Sequence, residues 1–116
     1  MKFMLLIYGD EKAAASASPE DMQAVAAAYD EFTKSIIDSG NFLDGDPFES
    51  TASASTVEVR DGKTVKNKRP ADTTSLQLGA YYKVEADSAE QAEEMASRIP
   101  GARFGTIEVR PVWQFD

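Results

Sequence analysis

The stretch from Lys2 to Tyr8 (KFMLLIY) constrains the fold more than any other part of the chain. It is apolar from Phe3 onward and stops at Gly9-Asp10. An uninterrupted apolar run this short, ended by turn residues, predicts a strand covered on both faces and therefore central in its sheet. The 116 residues supply material for one core and not for two, so residues 1–116 read as a single domain.

The next signal is a helix start. Ser18-Pro19-Glu20-Asp21 offers a serine N-cap, proline at the first helical position and acids beside the positive helix end. Met22, Val25, Tyr29, Phe32 and Ile36 recur at three- and four-residue steps, with Ala26 and Ile37 widening the stripe. Gly40 supplies the left-handed stop. Residues 41–56 show no periodicity, and we expect an ordered surface loop there with a short extended piece near Phe42-Leu43.

Thr56 to Lys66 then reads as a hairpin. Val57 and Val59 alternate with Glu58 and Arg60, and Asp61-Gly62 accepts the positive φ angles of a tight turn. Leu76 to Val84 predicts a strand with Leu76, Leu78, Ala80, Tyr82 and Val84 on its apolar face and Gln77, Gly79, Tyr81 and Lys83 opposite. Ser88, with Gln91 three residues on, opens a second helix whose buried stripe is Ala92, Met95, Ala96 and Ile99, ended by Pro100-Gly101. Phe104 to Val112 is the last strand, with Ile107 and Val109 on one face and Thr106, Glu108 and Arg110 on the other.

This order predicts an α+β fold: a ferredoxin-like βαββαβ sheet with an extra β-hairpin and both helices on one sheet face. The opposite face, holding Tyr81, Lys83, Glu108 and Arg110, is left open. A mixed aromatic and apolar face on so small a domain calls for a partner, and a second copy of the chain is the simplest one.

Composition narrows the chemistry. The chain has no cysteine and no histidine, which removes thiolate nucleophiles, disulfides, the commonest general base and the commonest zinc ligands. We therefore expect no metal and no cofactor. The net charge of −8 opposes nucleic acid and anionic membranes as partners. The apolar start is too short for a signal peptide or a membrane span, which points to a cytoplasmic protein.

Five segments together carry a family likeness: MKFMLLIYGD, SPEDMQAVAAAYDEF, TVEVRDGKTV, LQLGAYY and RFGTIEVRPVW. Occurring in register along nearly the whole chain, they resemble the YCII-related family, DGPF type. The resemblance implies a dimeric α/β-barrel assembly, in which two ferredoxin-like sheets face one another around a cleft. It also implies a small-molecule binder or an enzyme, in a family whose genes often neighbour those of extracytoplasmic-function sigma factors. The family's Asp-Gly-Pro-Phe tetrad falls on Lys68-Arg69-Pro70-Ala71, where only the proline is kept. Gly45-Asp46-Pro47-Phe48 lies in a different segment. The position of the histidine that the YciI branch carries early in its first helix corresponds to Asp21.

Four groups of residues are candidates for function, each with a plainer alternative. Tyr8 and Asp10, at the carboxyl end of the first strand, are catalytic candidates, or else a core phenol and a turn acid. Tyr81, Lys83, Glu108 and Arg110 are candidates for binding a small anionic ligand at a dimer seam, or else pair with one another there. Lys66, Lys68 and Arg69 form a basic cluster for a phosphate or acidic partner, or else a charged hairpin edge. Trp113 and Phe115 are candidates for stacking on a ligand, or else, as we expect, dock on a neighbouring subunit. Three functions follow: a homodimer with a small-molecule cleft and a regulatory role, an enzyme with Asp10 as general base assisted by Tyr8 or Arg110, or a protein-interaction module linked to a sigma factor.

Overall fold

The computed structural model describes residues 1–71 and 74–115. A four-stranded antiparallel sheet is built from β1 (Lys2–Gly9), β2 (Phe42–Pro47), β5 (Gln77–Glu85) and β6 (Thr106–Pro111) in the order β2-β5-β1-β6. The strands β3 (Thr56–Arg60) and β4 (Lys63–Asn67) form a separate two-stranded sheet. The helices are α1 (Glu11–Ala15), α2 (Pro19–Asp38) and α3 (Ala89–Ser97). The strand order and the two long crossovers through α2 and α3 make this a ferredoxin-like α+β fold.

The core lies between the sheet and one helix layer. Phe3, Leu5 and Ile7 of β1 point into it with Tyr82 and Val84, and meet Phe32 and Ile36 of α2 and Ala92, Met95, Ala96 and Ile99. Tyr82 contacts the Phe32 ring edge-on at 5.2 Å and shares a 2.6 Å hydrogen bond with Thr33, which satisfies its hydroxyl inside the layer. The Tyr29 hydroxyl accepts from the Gly101 amide at 3.1 Å. That contact ties α2 to the 3₁₀ turn Pro100–Arg103, and burial pushes the Tyr29 phenol up.

The helix starts form as their residues dictate. Ser18 accepts from the Asp21 amide at 3.1 Å, with Pro19 in the first turn, and Ser88 accepts from the Gln91 amide at the same distance. Gly40, at φ +81°, ends the turn after α2. One element was not foreseen: Asp10 caps α1, its carboxylate accepting from the Lys12 and Ala13 amides at 3.0 and 3.3 Å.

Several sequence expectations are corrected. The aperiodic stretch contains β2, which, and not the hairpin, is the second strand of the main sheet. Its proline is tolerated because β2 is an edge. The long-helix stripe is buried only in its second half: Phe32 and Ile36 are enclosed and Tyr29 partly so, while Met22, Val25 and Ile37 stay exposed. Leu78 does not share a face with Ala80, because Ile7 pairs with Ala80 and Tyr8 with Leu78, leaving Gly79 as an extra residue. One extra residue reverses strand parity, so Leu78 joins Tyr8 on the opposite face. The last strand begins at Thr106, and Phe104 stands exposed in the turn before it. Finally, β1 is central, but within one chain its Met4, Leu6 and Tyr8 are only half covered.

Candidate functional site

The uncovered face of the sheet is the candidate site, and strand register builds it in two rows. Asp44, Lys83, Met4 and Arg110 stand side by side across β2, β5, β1 and β6. Asp46, Tyr81, Leu6 and Glu108 form the second row. Residues directly opposite in antiparallel strands share a face, so these eight side chains share one surface. Its middle is apolar, Met4 and Leu6, and both of its flanks are polar and charged.

On the β2 flank the Tyr81 hydroxyl donates to Asp44 Oδ2 at 3.0 Å and Asp46 Oδ2 at 3.2 Å, one proton shared between two carboxylates. The Gly45 amide donates to Asp44 Oδ1 at 2.9 Å and fixes that carboxylate in place. The Tyr81 ring stacks on Phe48 at 5.8 Å and 28°, so the ring is half covered while its hydroxyl reaches solvent. Hydrogen bonding to Asp44 first, then desolvation and the Asp46 bond, push the Tyr81 phenol up from 10.0 to about 12. At neutral pH Tyr81 is therefore a hydrogen-bond donor and not a base. The Lys83 ammonium lies in the neighbouring row, and among the described residues it forms no ion pair within the chain.

The β6 flank is looser. The Tyr8 hydroxyl donates to Glu108 Oε1 at 3.4 Å, and Arg110 Nε approaches Glu108 Oε2 at 3.6 Å. One edge of the Arg110 guanidinium is thus turned to Glu108, and the remaining N–H groups are available to a planar anion.

The structure brings Tyr8, Tyr81, Lys83, Glu108 and Arg110 together on this face. It places Asp10 elsewhere, as the cap of α1. Lys66, Lys68 and Arg69 lie on the hairpin and beyond its end, and Lys68 Nζ donates to the Ser53 carbonyl at 3.5 Å. Trp113 and Phe115 stack on each other at 6.2 Å, both largely exposed after β6. Sequence reasoning missed Asp44 and Asp46. The only available signal was that they flank a glycine at alternate positions in a stretch without apolar alternation.

The tyrosine and its two carboxylates permit a direct test. Because the folded-state pKa of Tyr81 lies above that of a free phenol, its protonated form favours the folded protein. That contribution is present below about pH 10 and is lost as the pH rises through about 12. In a tyrosine-ring NMR titration, Asp44→Asn together with Asp46→Asn is expected to return the Tyr81 midpoint close to 10.0. An unchanged midpoint would show that the carboxylates do not hold the proton.

Concave surface in the single chain lies elsewhere, in a groove between α2 and the 3₁₀ turn lined by Val25, Phe32, Arg98, Arg103 and Phe104. Among the described residues, no group of three or more acidic side chains is placed to hold a metal ion. No described helix is long and apolar enough to cross a membrane.

A sequence model of the YCII-related domain matches residues 1–116, and the chain belongs to that family. None of the curated proteins matches it.

Proposed function

We propose that this YCII-related protein works as a homodimer whose open sheet faces close over a cleft for a small anionic molecule. One observation carries the reading: a half-covered apolar strip, Met4 and Leu6, bounded on one side by the unpaired Lys83 ammonium and on the other by Arg110. Apolar side chains on an open sheet gain from burial against a second copy, at roughly 25 cal/mol per Å². A half-covered lysine that makes no ion pair among the described residues favours an anion beside it in such a seam. Tyr81 spends its one proton on Asp44 and Asp46, so it holds those two carboxylates in place and leaves the anion to Lys83 and Arg110. A regulatory role fits such a cleft, with the occupied and empty dimers differing in the charge of the seam.

Light scattering at micromolar concentration is expected to give twice the 12.6 kDa chain mass. A clean monomer would defeat the proposal. Small mono- and dicarboxylates should raise the melting temperature of the wild-type dimer, and Lys83→Met should abolish that rise with the dimer intact. Undiminished stabilisation in Lys83→Met would remove the anion site.

A second reading, a protein-interaction module, is favoured by Val25 and Phe104 facing the α2 groove with Met22 one turn earlier, all exposed on the helix side. If the protein is monomeric and stable, that surface takes precedence over the sheet face.

A further inference from the structure

The β3–β4 hairpin belongs to neither the core nor the open face. It forms its own sheet, and neither strand packs extensively against another element. The molecule is correspondingly extended: its radius of gyration is 16.2 Å, against about 13 Å for a compact chain of this length. An isolated two-stranded hairpin is marginally stable in water. This one also presents Val57 and Val59 on the same face, 61% and 60% exposed.

Its charge is opposite to that of the rest of the chain. Residues 56–69 carry five bases (Arg60, Lys63, Lys66, Lys68 and Arg69) against two acids (Glu58 and Asp61), a net +3. The whole chain is −8, so the remaining residues sum to −11. The root of the arm is tied to the body. Thr51, in the 3₁₀ turn before β3, donates through its amide and hydroxyl to the Glu11 carboxylate at 2.8 and 2.7 Å. Glu11 is itself held, its backbone amide donating to Gln77 Oε1 at 2.9 Å. A basic arm with an exposed apolar face, which packs extensively on no other element of its own chain, matches the acidic body of another copy.

We propose that the β3–β4 hairpin is an arm that lies across the acidic surface of a second copy of this chain. It covers Val57 and Val59 there, and its lysines and arginines are attracted to the partner by the opposite net charge. This contact is distinct from the sheet-face seam and stands or falls separately from it.

Hydrogen exchange on the intact protein tests the arm directly. The amides of residues 56–67 should be protected at high protein concentration, lose protection on dilution, and lose it again in 1 M salt, where the screening length falls to about 3 Å. Val57→Thr with Val59→Thr keeps strand propensity and removes apolar contact, and should weaken dimerisation at least about tenfold by sedimentation equilibrium. Arm amides that exchange equally fast at every concentration, beside a persistent dimer, would overturn the arm and leave the sheet-face seam standing. Protection of the arm in a dimer that survives Leu6→Glu would establish the arm and remove the seam. Protection that appears only on adding duplex DNA or an acidic protein, and not with concentration, would assign the arm to that partner and overturn the proposal.

Discussion

Gly105→Ala is expected to destabilise the protein by at least about 3 kcal/mol, the top of the usual range for forcing extra volume into a packed site. A Cβ built on Gly105 would run into the Tyr8 carbonyl oxygen, and would lie 3.1 Å from its carbon and 3.2 Å from Gly9 Cα. All three are backbone atoms of β1, the central strand, and no side-chain rotation can relieve the contact. The Gly105 amide also donates to the Gly101 carbonyl at 2.9 Å, which restricts its movement the other way. The start of β6 would have to separate from β1, pulling Thr106 out of register with Tyr8. The Tyr8–Glu108 bond on the open face would be lost with it. Urea unfolding is the measurement. A change below about 0.5 kcal/mol, the size of an ordinary surface substitution, would show that the two strands do not approach this closely.

Phe3→Ala should be of similar size, about 3–5 kcal/mol, through the opposite mechanism. Phe3 is fully enclosed and sits in the middle of the sheet, opposite Val84 on one side and Pro111 on the other. Removing its ring leaves a cavity against the helix layer, where Ile36, Met95 and Ile99 are also fully buried. Those residues lie on separate elements and cannot all collapse inward, so both the transfer and the cavity contributions are felt. Phe3→Leu should recover more than half of the loss, because most of the volume returns. The unfolding midpoint should shift with an unchanged urea slope, since the area exposed on unfolding is nearly the same. A loss under about 1 kcal/mol for Phe3→Ala would mean that the ring does not lie in the core.

The two substitutions probe the same strand from its two ends, and their consequences for the site differ. Phe3→Ala weakens the layer behind the sheet and leaves the register of the open face intact. Gly105→Ala disturbs that register itself. A comparison of carboxylate-induced stabilisation in the two variants would therefore separate loss of the proposed cleft from loss of the fold.

Sequence alone determined the elements whose signals are local. The apolar run of β1, the Ser18 and Ser88 caps, the Gly40 stop, the Asp61-Gly62 turn and the alternation of β6 each follow from the conformational preference or period of a few neighbouring residues. With the alternation around Tyr81 and Lys83 in β5 they suffice for the α+β class and for an open face carrying Tyr81, Lys83, Glu108 and Arg110, although they put the hairpin in the place that β2 takes in the main sheet. What the tertiary structure decided is parity, neighbours and coverage. In β2, Phe42 pairs with Val84 and Asp44 with Lys83, so Leu43 is an extra residue. That single bulge sends Phe42 toward the core and both Asp44 and Asp46 to the open face, although all three have even numbers. No period-2 reading could have placed the two carboxylates beside Tyr81. The extra residue at Gly79 moved Leu78 by the same mechanism. Coverage was equally out of reach: Met22 and Val25 continue the stripe of Phe32 and Ile36 without a break, but they stay exposed. Helical spacing says which residues share a face, and only the extent of the opposing layer says which of them are buried.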